Sequence, residues 1–301
     1  MSLVVVGSAK GAPGVTTVAT ALAAVWPQTA VLADCDPAGG DLALRLRDST
    51  GGWLARQRGI VGLAAHAQVR AHDGAVVDVA GQVQLAAGGL PVLVGVESAA
   101  QSAAMGGVWP TIAQALATSA NLDDTGDGVV IADCGRLVPA QPTEHLLARA
   151  SAALLVTRPS VEAVAHLRHA LAHITSVLPR SASVWIAIVG PAESARRDTA
   201  DVSAALTEAG HPGVLVRAIP HDDRAALALA GIPTKSLDKS ALVAAARRLA
   251  AELHLALPAP ATGARDDVAE SRLDLTVPAN GHGRADVLPD RGIDGGVEVR
   301  R

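Results

Sequence analysis

Leu3–Thr17 reads LVVVGSAKGAPGVTT. Leu3–Val6 is a run of branched apolar residues, the pattern of a strand buried on both faces. Gly7 and Ser8 end it, and Gly11, Pro13 and Gly14 bend the chain with little side-chain bulk. Thr16 and Thr17 open a helical run, Val18–Trp26, that stops before Pro27. Strand, glycine loop, hydroxyl pair and helix N-terminus together make a phosphate cradle. Backbone N–H groups point inward, the helix dipole favours an anion, and the Thr16 hydroxyl suits Mg²⁺. The same residues also suit a tight strand-to-helix turn with no ligand.

Of 301 residues, 50% are hydrophobic and 18% charged, which supports one large core. Phe and Tyr are absent, so Ala, Val, Leu and Ile must build that core around Trp26, Trp53, Trp109 and Trp185. So few aromatic rings argue against base-stacking recognition of single strands. A net charge of −4 argues against bulk attraction to nucleic acid or an acidic membrane. Cys35 and Cys134 make no disulfide framework and read as small buried thiols. No secretory signal and no apolar run of about 18 residues is present, so a cytoplasmic protein without a transmembrane segment is expected.

Six more apolar runs follow: Ala30–Ala33, Leu90–Val96, Val129–Ala132, Ala152–Val156, Val184–Val189 and Val214–Val216. Helical patterns lie between them, at 53–69, 101–119 (broken by Gly106, Gly107 and Pro110), 143–149, 160–177 and 198–209, with a last one at 240–255. Residues 76–85 read as a strand or an irregular lead-in. The alternation predicts a doubly wound α/β fold: a mainly parallel seven-stranded sheet with helices on both faces. That domain spans residues 1–257. From Pro258 the composition turns to Pro, Gly, Ala, Asp and Arg without periodicity, so 258–301 is expected to be a disordered tail.

Carboxylates cluster at strand ends. Asp34 and Asp36 follow the second apolar run, where α/β sheets bind ligands. Asp133, between an apolar strand and Cys134-Gly135, is placed to hold the water shell of Mg²⁺. Each aspartate alone also suits a solvated strand end or a helix cap. His166, His169 and His173 fall on one helix face, as a metal site or as a solvated stripe.

The run Lys10-Gly11-Ala12-Pro13-Gly14-Val15-Thr16-Thr17 resembles the deviant Walker A loop of the ParA/MinD family of P-loop ATPases, usually K-G-G-x-G-K-T-T. The resemblance implies ATP and Mg²⁺ as cofactors, with residues 11–17 on the phosphates. In that family the early lysine, here Lys10, reaches across a homodimer to the partner's nucleotide. Val129–Asp133 resembles a Walker B strand, with Asp133 on the metal's waters and the Gly135 amide near the γ-phosphate. Asp34-x-Asp36-Pro37 resembles the family's D-x-D-P switch, where Asp36 positions the attacking water and Asp34 supports Mg²⁺. Ile219-Pro220-His221-Asp222 resembles the loop whose backbone lines the adenine; it also suits a turn and a helix N-cap.

Val15 stands where the family has the lysine that holds the β- and γ-phosphates. Three outcomes follow: weak binding with slow turnover, binding only in a dimer where the partner's Lys10 restores the charge, or a vestigial pocket on a scaffold. Thr16, Asp36 and Asp133 favour the second, and Arg158 is a further cation near a strand end. The form G-x-P-G-V-T-T is similar to MinD-like proteins of high-GC actinobacteria and to the TadZ/CpaE branch. The function so implied is an ATP-dependent dimeric switch that positions a partitioning, division or pilus/secretion machine. A protein partner would recruit it to the membrane or the pole. One alternative is a non-hydrolysing scaffold. Another is a DNA-partitioning ATPase using Arg196-Arg197 and Arg247-Arg248, which the acidic composition does not favour. Pro278 and the alternation of Leu273, Leu275 and Val277 do not make the basic membrane helix that ends MinD proteins. The absence of tyrosine excludes the tail self-phosphorylation of the bacterial tyrosine kinases that share this fold.

Overall fold

The computed structural model describes residues 2–11, 13–70, 77–118, 128–232, 237 and 239–258. The expected tail beyond residue 258 lies outside the described residues, as does Ala12.

The first half of the chain contains β1 (Ser2–Ser8), α1 (Val15–Ala24), β2 (Ala30–Asp34), α2 (Leu42–Arg45), α3 (Ile60–Arg70), β3 (Gln84–Leu85), β4 (Pro91–Leu93), α4 (Ala99–Ala104) and α5 (Trp109–Thr118). The second half contains β5 (Val129–Arg136), α6 (Thr143–Leu147), β6 (Ala152–Thr157), α7 (Val161–Val177), β7 (Ser183–Gly190), α8 (Ala195–Glu208), β8 (Leu215–Pro220), α9 (Asp223–Leu229) and α10 (Ala241–Ala256). The strands form one eight-stranded sheet in the order β3-β4-β2-β5-β1-β6-β7-β8. Every pairing is parallel except β3 with β4. The expected parallel α/β sheet is therefore present, with one extra strand at its edge.

Side chains alternate across the sheet, and both faces are buried. Leu3 and Val5 enter one apolar layer, with Ile60 and Leu63 of α3, Ile112 of α5, and Leu167 and Leu171 of α7. Val4 and Val6 enter the other, with Leu22 of α1 and Leu242, Leu249 and Leu253 of α10. Three layers result, and without Phe or Tyr each is packed with aliphatic side chains plus Trp26, Trp109 and Trp185. Helices α7, α9 and α10 start where capping side chains stand. Ser160 accepts from the Ala163 amide, Asp222 from Ala225 and Ser240 from Val243.

Three expectations shift. The helix expected over residues 53–69 begins only at Ile60. Gly59 sits at φ +115, and a Cβ there would overlap the Val94 carbonyl oxygen, which accepts from the Ile60 amide at 2.9 Å. Trp53 is 59% exposed, lies under the Arg47 guanidinium, and bridges to Arg47 outside any helix. The helix expected over 101–119, with a break at Gly106, Gly107 and Pro110, begins earlier, at Ala99. The break is a 3₁₀ turn at Gly106–Val108, with buried Trp109 donating its indole N–H to the Ser102 carbonyl; residue 119 lies outside the described residues. Of the stretch 76–85, residue 76 lies outside the described residues, and among the described ones Gln84–Leu85 alone is strand, an antiparallel edge piece.

Gly59→Ala is expected to destabilise the fold by about 2–3 kcal/mol, because the left-handed backbone and the close carbonyl both exclude a methyl group. A urea midpoint measured against wild type checks this.

Candidate functional site

The carboxyl ends of β1, β2 and β5 are adjacent at the centre of the sheet, where the chain order reverses. Three acidic residues and the first loop meet there. Gly14 caps α1 at φ 99, in the left-handed region, and no side chain occupies the cap. The amides of Val15, Thr16 and Thr17 have no acceptor within the ten-residue helix. Beyond Gly11 and Gly14 there is open space where a side chain would begin. Ser8 braces the loop: its hydroxyl donates to the Gly11 and Gly135 carbonyls at 3.4 Å each, and its own carbonyl accepts from Leu137 at 2.9 Å.

Asp34 and Asp133 face each other in register on β2 and β5. Each is 2% exposed. Asp34 Oδ2 accepts from the Leu42 amide at 3.1 Å, while Oδ1 has no hydrogen-bond partner. Gly40 and Gly95 press on this carboxyl so closely that a Cβ on either would overlap it. Burial, then the neighbouring Asp133 charge, push the Asp34 carboxyl up to about 8. Burial also pushes Asp133 up, to about 6, against the Thr16 hydroxyl and the Gly135 amide that donate to it. The Gly135 bond is 3.2 Å. Asp36 is half-buried against Gly135, whose φ of +56 and close approach leave no room for a side chain. Its Oδ1 accepts from Ala38 at 2.8 Å, and burial raises its pKa as well.

Thr16, Asp34, Asp36, Asp133 and Gly135 are thus brought together. The three carboxyls do not form a ready-made set of direct metal ligands. The Thr16 hydroxyl, Asp133 and the unpartnered Asp34 oxygen suit a hard divalent cation held largely through its own water shell. The first-turn amides of α1, without acceptors in the helix, suit a phosphate.

Val15 is 6% exposed and joins the apolar layer of Val6, Val18 and Leu22, so an aliphatic side chain fills the position of the expected lysine. Lys10 turns elsewhere: its Nζ lies 2.9 Å from His166 Nε2 on α7 of the same chain. Arg158 is exposed at the end of β6. Pro220 ends β8, three strands from β1, and His221 and Asp222 follow it at the carboxyl edge of the sheet. The His221 amide donates to Gly190 at 2.7 Å. The Asp222 carboxylate caps α9, accepting from Ala225 at 3.0 Å and from the Ser240 hydroxyl at 2.8 Å, which lowers its pKa.

Cys35 and Cys134 are buried, and burial raises both thiols well above their usual range. His173 pairs with Glu144 at 2.6 Å, and among the described residues no His, Cys, Asp and Glu group is arranged to hold a metal. A cavity of about 370 Å³ between α7 and α8 takes none of the loop or acid residues. Also among the described residues, no helix is long and apolar enough to cross a membrane.

Two features were not read from the sequence: the Leu42 amide on Asp34, and the Asp41–Arg45 ion pair on α2 at 2.6 Å. The i, i+4 spacing of Asp41 and Arg45 is the signal that points to the second.

No protein-family model matches the chain, and no curated protein matches it by sequence. Solved structures do. A ParA family ATPase from Chlorobium tepidum superposes with a TM-score of 0.60 at 17% identity, over 83% of this chain and 98% of that one. The septum site-determining protein MinD from Pyrococcus horikoshii, complexed with Mg-ADP, gives 0.57 at 17%, over 84% and 95%. McdA from Cyanothece, in an ATP complex, gives 0.59 at 18%, over 86% and 98%. At such identities the likeness is one of fold: the described chain shares the mainly parallel, three-layer α/β architecture of these structures.

Proposed function

We propose that this protein binds ATP with Mg²⁺ at the loop of residues 11–17 and works as a nucleotide-dependent positioning protein of the ParA/MinD kind. The observation that carries the reading is the buried carboxyl pair Asp34–Asp133, joined to the Thr16 hydroxyl and left with an unpartnered oxygen. Such a set is costly without a cation. Mg²⁺ would neutralise it and screen the phosphate charge. Thr16, Asp34 and Asp133 would hold the metal and its waters, and the α1 amides would hold the phosphates. Asp36, half-exposed beside Gly135, is placed to orient a water. The backbone at Pro220, His221 and Asp222 is assigned to the adenine side. The MinD–Mg-ADP and McdA–ATP structures of the same fold support the choice of ligand.

Two copies would close around nucleotide, with Lys10 leaving His166 to serve the partner. We assign the cargo to a division, partition or pilus/secretion machine, engaged through a protein partner. Hydrolysis is slow in this reading, because Val15 gives the phosphates no ammonium. The burial of Val15 also favours a second reading, a scaffold that does not turn nucleotide over.

Titration calorimetry with Mg-ATP, run beside size-exclusion chromatography, tests the first reading. Wild type is expected to bind and to shift toward a dimer. Thr16→Ala is expected to weaken binding about tenfold, since it removes one charge-assisted contact. Chelation of Mg²⁺ should do the same or more. A wild-type protein with no heat and no dimer shift leaves the scaffold reading standing.

A further inference from the structure

The loop's deficit of positive charge has a candidate remedy within the same chain. Val15 is buried among aliphatic side chains, and Lys10 is engaged by His166 at 2.9 Å. Arg45, on α2, is differently placed. The first residue of α2 is fixed to the acid cluster by the Leu42 amide on Asp34 Oδ2 at 3.1 Å. The preceding Gly40 amide donates to Val96 at 2.8 Å, at the end of the neighbouring β4 run. Gly231 packs directly on the Arg45 carbonyl, and the Arg45 amide donates to the Asp41 carbonyl at 3.1 Å. The Arg45 backbone is therefore set between the acid cluster and the loop after α9.

Its guanidinium is held by Asp41 Oδ2 at 2.6 Å, in a pair whose side chains are 34% and 51% exposed. The pair borders the cluster: Asp41 acts electrostatically on Asp36, and Arg45 on Asp133. An ion pair so open to water is weak and easily exchanged. A guanidinium offers a planar fork that matches a phosphate and is always charged.

We propose that Arg45 supplies the positive charge missing at Val15, leaving Asp41 to bind the phosphate chain of the nucleotide from α2. The inference rests on the nucleotide reading given above. It adds a phosphate-binding residue outside the loop and makes α2 a part that responds to the ligand. Asp41 becomes the place where the guanidinium waits when no nucleotide is present.

Calorimetric titration of the full chain with Mg-ATP tests it, with thermal melts to show that each variant is folded. Arg45→Gln is expected to weaken binding about tenfold to a hundredfold. Arg45→Lys should recover part of the loss, because charge remains while the fork is gone. Asp41→Asn should bind as tightly as wild type or more so, since the guanidinium is released. If Arg45→Gln binds within twofold of wild type, the proposal is overturned while the nucleotide reading stands. If Asp41→Asn loses affinity as much as Arg45→Gln does, the loss comes from a disturbed α2, and the proposal is again overturned. If Arg45→Gln does not fold, the Lys and Asn variants decide the matter by the same criteria. A wild-type protein that takes up no Mg-ATP removes both readings.

Discussion

Asp34→Asn is expected to stabilise the nucleotide-free protein at pH 8, by about 3–5 kcal/mol. The Asp34 carboxyl is buried with one oxygen unpartnered, and its pKa stands at about 8 against 3.8 when free. Between those values the folded chain keeps a proton that the unfolded chain has released. The native state thus binds more protons, and stability falls as pH rises through the window. Asp133, pushed up to about 6, adds to the slope at its lower end. Wild type should therefore be most stable near the foot of the window and lose stability up to pH 8. Asparagine cannot ionise, so the variant should keep the Asp133 part of the slope alone. Urea midpoints at pH 5 and pH 8 measure both effects. A wild-type midpoint equal at the two values would mean that these carboxyls do not feel their burial. The same substitution should weaken Mg-ATP binding, because one metal-holding oxygen is lost. Stability and affinity moving in opposite directions is the mark of a group kept for its ligand.

Val15→Lys has the second large expected effect: turnover of saturating Mg-ATP should rise about a hundredfold. The valine packs with Val6, Val18 and Leu22, and the methylene stem of lysine can cover much of the same apolar surface. Its ammonium would then lie on the side of the acid cluster. Drying that charge is unfavourable, but it favours ionised Asp34 and Asp133, so the pH slope of the apo protein should flatten. Phosphate release assayed with and without the substitution reads the gain. Unchanged turnover with intact binding would mean that charge at this position does not limit the reaction.

Most of the sheet was legible because its strands are short aliphatic runs followed by turn residues. Leu3–Val6, Ala152–Val156 and Val184–Val189 all lie within observed strands. The edge strand was not, because two residues, Gln84 and Leu85, are too few to show alternation. The late start of α3 was hidden in the same way. An apolar spacing that fits a helix runs through residues 53–69, but the left-handed Gly59, packed on Val94, and the bridge of Trp53 to Arg47 set residues 53–59 apart from it.

The site divides along the same line. Thr16, Asp34, Asp36 and Asp133 sit at strand ends and helix starts, where local pattern carries the meaning, and the fold assembles them. Val15 was visible as a departure, but its burial depends on neighbours distant in sequence. The setting of Arg45 depends on Asp34 and Gly231 meeting around α2, which no local spacing records. Asp222 shows the reverse, a residue in a suggestive motif whose side chain is already committed to Ala225 and Ser240.

The single exposed indole gives this chain an optical reporter at a useful place. Trp53 is open to solvent beside Arg47, two positions beyond Arg45, whereas Trp26, Trp109 and Trp185 are shielded. With no tyrosine to contribute emission, a water-soluble quencher should act mainly on Trp53. Its fluorescence would then register any displacement of the segment after α2 when ligand arrives, without a label attached.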